Sequence, residues 1–89
     1  MSATAPRYLV LLMRRPEFDP ALVAPHHTFL DGLRAHGLLE LRGGFSDHSG
    51  GAYVLRGVGS LEAARELVAQ DPLAIYGASD ISIHEWHAR

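Results

Sequence analysis

Apolar residues fill both alternating faces of Arg7-Tyr-Leu-Val-Leu-Leu-Met13, with Tyr8, Val10 and Leu12 on one side and Leu9, Leu11 and Met13 on the other. Bounded by Arg14-Arg15-Pro16, this run predicts a strand, and a strand apolar on both sides requires cover on both. Asp19-Pro20 has the form of an N-cap followed by proline at the first helical position. Pro25 then either kinks that helix or begins the main one. Beyond it, His26, Phe29, Leu30 and Leu33 fall at i, i+3, i+4 and i+7, one inward stripe, and Gly37 is placed to stop the helix. Leu38–Arg42 predicts a second strand, Gly43–Gly51 a flexible connection and Ala52–Arg56 a third strand. Ser60 caps a second helix with Leu61, Ala64, Leu67 and Val68 on its inner face. Asp71-Pro72 repeats the cap-and-proline signal and opens a short helical turn. Ser79–Trp86 predicts the last strand, in which Ile81 and Ile83 alternate with Ser82 and His84.

The element order is β-α-β-β-α-β, the split arrangement of a ferredoxin-like α+β domain, with a four-stranded antiparallel sheet and the helices on one face. At 89 residues the whole chain, 1–89, is expected to form one domain. The second face of the sheet lies bare in such a fold, yet the first strand is apolar there too. A patch of that size wants a partner. A second copy packed sheet to sheet would cover it, which predicts a homodimer forming an α/β barrel across two chains.

Composition narrows the function. The net charge of −2 leaves no basic footprint for nucleic acid, and Arg14-Arg15 is the one adjacent basic pair, too little for a phosphate clamp. There is no cysteine, which rules out disulfides, thiolate nucleophiles and cysteine-held zinc, and which fits a reducing cytoplasm. The apolar run Tyr8–Met13 is far shorter than the roughly 20 residues of a membrane span and lacks a signal peptide's flanks. No membrane association is expected, and the expected location is the cytoplasm.

Six histidines in so short a chain raise the question of a metal, but their spacing argues against one. Zinc sites draw three or four ligands together, commonly through two histidines four apart on a helix, whereas His26 and His27 are adjacent and point about 100° apart. His36, His48, His84 and His87 fall on other predicted faces or ends. His26 stands apart because it occupies the inward stripe, where leucine would pack at less cost. It reads either as a hydrogen-bonded core residue or as a working imidazole. Asp71 is the best candidate for a carboxylate partner, although helix capping alone accounts for Asp-Pro, and no spacing brings Asp71 to His26.

Taken in order, His26-x3-Leu30-x2-Leu33-x3-Gly37-x-Leu39, then Gly43, Ser60-Leu-Glu-Ala-Ala64 and Asp71-Pro72 resemble the YCII-related (YciI-like) domain family over nearly the whole chain. The resemblance implies a dimeric ferredoxin-like α/β barrel similar to the muconolactone isomerases. It also implies a histidine and an aspartate proposed as an active-site dyad. The family's histidine stands eleven residues before the helix-ending glycine, which selects His26 over His27, and its aspartate belongs to the Asp-Pro pair, here Asp71. This chain departs from the family pattern at three places. Gly44 replaces a proline after the second strand, Val23 stands where an arginine is frequent, and Leu73 stands where an aromatic residue is common.

The implied chemistry needs little equipment: one base beside a stabilising group moves a proton next to a carbonyl, or eliminates a halide across a lactone. On this reading the chain is a cofactor-independent small-molecule lyase or isomerase. His26 takes the proton, Asp71 orients its ring, and Gly43 and Gly44 let backbone amides approach an anionic oxygen of the substrate. The alternative is a non-enzymatic module of the same fold that binds a metabolite or serves assembly, with His26 and Asp71 as structural partners. A haem-binding variant of the same barrel architecture is a third, weaker reading, and no cofactor is expected.

Overall fold

The computed structural model describes residues 5–89. Its elements are β1 (Arg7–Arg14), a 3-10 turn at Pro20–Leu22, α1 (Val23–Ala35), β2 (Leu39–Gly44), β3 (Gly50–Leu55), α2 (Leu61–Val68), α3 (Pro72–Ile75) and β4 (Ser79–Trp86). The strands form one antiparallel sheet in the order β2-β3-β1-β4. The doubly apolar strand is therefore central, as its sequence requires.

Pairing parity sorts the side chains. Tyr8, Val10 and Leu12 of β1 stand level with Leu55, Tyr53 and Gly51 of β3 and with Glu85, Ile83 and Ile81 of β4. On that face they join Leu30 and Leu33 of α1, Ala64 and Val68 of α2 and Leu73 of α3 in one buried cluster. All three helices thus cover the same side. The opposite face carries Leu9, Leu11 and Met13 beside Val54, Ala52 and Gly50, with no element of the described chain over it.

Local chemistry explains the helix ends. Asp19 accepts a hydrogen bond from the Ala21 N–H at 2.9 Å, so the expected Asp-Pro cap forms, but it opens a 3-10 turn that runs directly into α1. Pro25 lies in the first turn of α1, where its missing N–H had no helical partner to lose. Gly37 takes φ +74°, and the Leu38 N–H returns to the Leu33 carbonyl at 2.9 Å to close the helix. Ser60 caps α2 through the Ala63 N–H at 3.0 Å.

The expected limits of the second and third strands need correction. Gly43-Gly44 and Gly50-Gly51 are not part of a loose connection: Gly43 pairs with Ala52 and Gly44 with Gly51, which leaves only residues 45–49 as the turn. Backbone proximity is the reason glycine is needed there, since a Cβ on Gly50 would stand 1.9 Å from the Leu12 carbonyl oxygen. The sheet also has a bulge at Glu40, between Leu39 and Leu41. It puts Leu39 in the core and turns Leu41 out to the bare face, while Glu40 pairs with Arg7.

Candidate functional site

His26 lies on the fourth residue of α1, on the stripe that faces the sheet, and its side chain is 13% exposed. Asp71 is fully buried at the N-cap of α3. Forty-five residues apart in sequence, they meet: His26 Nδ1 is 2.9 Å from Asp71 Oδ1 and 3.0 Å from Oδ2. The carboxylate accepts two further hydrogen bonds, from the Leu73 N–H at 2.9 Å and from the Tyr53 hydroxyl at 3.1 Å.

These partners determine the protonation pattern. Leu73 N–H and Tyr53 O–H are donors, so the carboxylate serves as acceptor throughout, and His26 must present Nδ1–H to it. That tautomer leaves the Nε2 lone pair as the free basic atom of the ring. A single carboxylate therefore caps a helix, anchors a strand and orients an imidazole. Arg42 steadies the support from the other end. Its guanidinium reaches Asp31 at 3.1 Å and the His27 carbonyl at 3.4 Å, tying α1 to β2.

Tyr53 is a part of the site that sequence reasoning missed. Its signal was there: Tyr53 and Leu55 share one parity on β3, and a buried phenol demands a hydrogen-bond partner. Burial pushes its pKa well above the ordinary 10.0, and the neighbouring charge of Asp71 and the bond to it push further. Its sign for stability follows. The folded chain keeps the Tyr53 proton at pH values where an unfolded chain releases it. This contribution to stability is complete below pH 10 and is lost as the pH rises beyond it. On alkaline titration, the Tyr53 phenolate absorbance is expected to appear only with loss of the circular dichroism signal. The Tyr53→Phe protein should show a smaller phenolate step on unfolding, the remainder coming from the buried Tyr8.

The other histidines disperse. His27, His36, His48, His84 and His87 are all exposed. Among the described residues no three histidine, aspartate or glutamate side chains converge as metal ligands would. Also among the described residues, no helix is long and apolar enough to cross a membrane.

A narrow crevice of about 60 Å³ is lined by Leu12, Arg14, Val23, Gly51, Leu73 and Ser79 among others, by neighbours of the pair and not by His26 or Asp71 themselves. Val23 precedes His26 by one helical turn, Gly51 is the next same-face residue to Tyr53, and Leu73 supplies the N–H bonded to Asp71. Gly43 and Gly44 do not line it. They border a shallow depression on the bare face with Leu9, Leu41, Phe45 and Trp86, so the structure does not bring them to His26 and Asp71.

The fold is shared with enzymes. The chain superposes with a TM-score of 0.69 on the 5-chloro-2-hydroxyhydroquinone dehydrochlorinase TftG of Burkholderia phenoliruptrix AC1100, at 20% identity, over 90% of this chain and 92% of that one. Muconolactone isomerase gives the same TM-score of 0.69 at 22% identity, over 89% of this chain and 85% of its own. In sequence, the uncharacterized protein YjpA of Bacillus subtilis (strain 168) is 47% identical over 79 residues, covering 89% of this chain and 92% of that protein. The YCII-related domain matches residues 6–87, and with that span, order and fold the chain belongs to the YCII-related domain family.

Proposed function

We propose that this chain is a cofactor-independent lyase or isomerase of small molecules, with His26 Nε2 as its general base. One observation carries the reading: both oxygens of a buried carboxylate hold His26 Nδ1, at 2.9 and 3.0 Å, which frees the other ring nitrogen to take a proton. Asp71 orients the ring and stabilises the imidazolium once formed, and Tyr53 holds Asp71 in turn. The shared fold with a dehydrochlorinase and an isomerase supports the same class, because elimination of a hydrogen halide and migration of a double bond both remove a proton from substrate. Proton abstraction beside a carbonyl is read directly by incubating lactones and enol esters with the protein in D₂O. Deuterium is expected in an accepted compound at the carbon next to its carbonyl. Exchange at the wild-type rate by a His26→Gln protein would remove the imidazole from the mechanism.

The assembly proposed with it is a homodimer joined through the bare sheet face. Met13 is 41% exposed there, Leu41 63% and Trp86 46%, around the partly covered Leu9 and Leu11. Large apolar side chains gathered on one sheet face are the surface a second copy would bury. Sedimentation equilibrium is expected to give twice the chain mass, and Leu41→Glu the single-chain mass with unchanged circular dichroism. A wild-type chain that sediments as a monomer at about 100 µM, far above any physiologically useful dissociation constant, would overturn it.

A further inference from the structure

Ser79 is the one buried side-chain polar atom among the described residues without a hydrogen-bond partner. The residue is 8% exposed, and it opens β4 on the helix-covered face, directly across from Arg14 at the end of β1. Both line the crevice whose walls also include Val23 and Leu73. An unsatisfied buried hydroxyl costs stability, and a chain that keeps one beside a cavity has a use for it there.

Arg14 is the second observation. Its guanidinium lies 4.3 Å over the Phe18 ring, which fixes the head group at the crevice without neutralising it. Among the described residues no carboxylate lies within ion-pair distance of Arg14, and Asp80, next to Ser79 in sequence, is taken by Arg15. Asp80, the partner of Arg15, projects from the opposite face of β4. The crevice wall on α1 is the uncharged Val23, so Arg14 on β1 is the positive charge in the lining.

We propose that Arg14 and Ser79 form a subsite for a carboxylate on the substrate, the hydroxyl donating from within and the guanidinium closing over the rim. The volume of about 60 Å³ admits a few waters or one such group, not a whole substrate. Val23 of the crevice stands one turn of α1 before His26, so the rest of the molecule would reach the base along that helix. This substrate class rests on His26 being the base, but the subsite itself is tested by binding alone.

Benzoate and its uncharged analogue benzamide serve as probes in ¹⁵N NMR titrations of the intact protein. Benzoate is expected to shift the backbone amides of Arg14, Gly51 and Ser79, and benzamide to bind about tenfold more weakly or worse. Arg14→Gln and Ser79→Ala should each weaken benzoate about tenfold, with no fall in melting temperature for Ser79→Ala, since the lost hydroxyl had no partner. Equal affinity for benzoate and benzamide, or no benzoate shift at these amides, would overturn the subsite. So would a lowered melting temperature of Ser79→Ala, which would mark the hydroxyl as the anchor of a structural water. His26→Gln should bind benzoate as the wild type does. Loss of binding there would place the anion on the imidazole and refute the subsite, whereas deuterium exchange kept at the wild-type rate by the same variant refutes only the base.

Discussion

Asp71→Ala is expected to lower folding stability by about 3–5 kcal/mol. Three donors lose their acceptor at once: His26 Nδ1–H, the Tyr53 hydroxyl and the Leu73 N–H. His26 is partly exposed and finds water, but Tyr53 is 1% exposed and is left dry. The N-cap of α3 is lost as well. A chain of this length holds only about 4–13 kcal/mol in total, so urea denaturation should show a midpoint displaced by a large part of its value. Asp71→Asn separates the roles. An asparagine still caps α3 and still meets Tyr53, whose hydroxyl accepts as readily as it donates. It offers Nδ1 an oxygen and an amide nitrogen at nearly equal distance, so the Nδ1–H tautomer is no longer enforced. Stability should fall by about 1 kcal/mol or less, while turnover falls steeply. A stable, fully active asparagine variant would show that Asp71 has no part in orienting the ring.

His26→Gln is expected to reduce kcat/KM by about 10²–10⁴-fold on any compound the wild type turns over, with little change in KM. Glutamine replaces the Nδ1–H with an amide N–H that still donates to Asp71, so the buried carboxylate keeps its partner. The melting temperature should shift by only a few degrees, equivalent to about 1 kcal/mol. What the amide lacks is a basic nitrogen at the far side of the ring. A protein that loses stability and activity together would instead mark His26 as a structural group. That outcome favours the alternative of a binding or assembly module.

The architecture was legible because its signals are local. Alternation in Tyr8–Met13 and Ile81–Ile83, Ser60 before α2, Gly37 after α1 and Asp71-Pro72 before α3 each leave a mark within a few residues. Strand limits failed at the glycines, whose ordinary aversion to strands is overridden where β1, β2 and β3 approach too closely for a Cβ. His26 stood out as a polar residue on an apolar stripe. Asp71 could not be joined to it, because a separation of 45 residues carries no trace of a contact made only by packing α3 against α1. Tyr53 and Ser79 passed unremarked for a different reason. A tyrosine and a serine are ordinary strand residues, and only burial reveals which hydroxyl is bonded and which waits for a partner.

The strand order has a consequence for synthesis. The first strand made, β1, lies between the third and the last, and its register with β4 joins Arg7 to Trp86. Until β4 has emerged, that greasy segment can pair along one edge only, with β3. Nascent copies should therefore depend on chaperones early and become protease-resistant abruptly, at the length that releases β4.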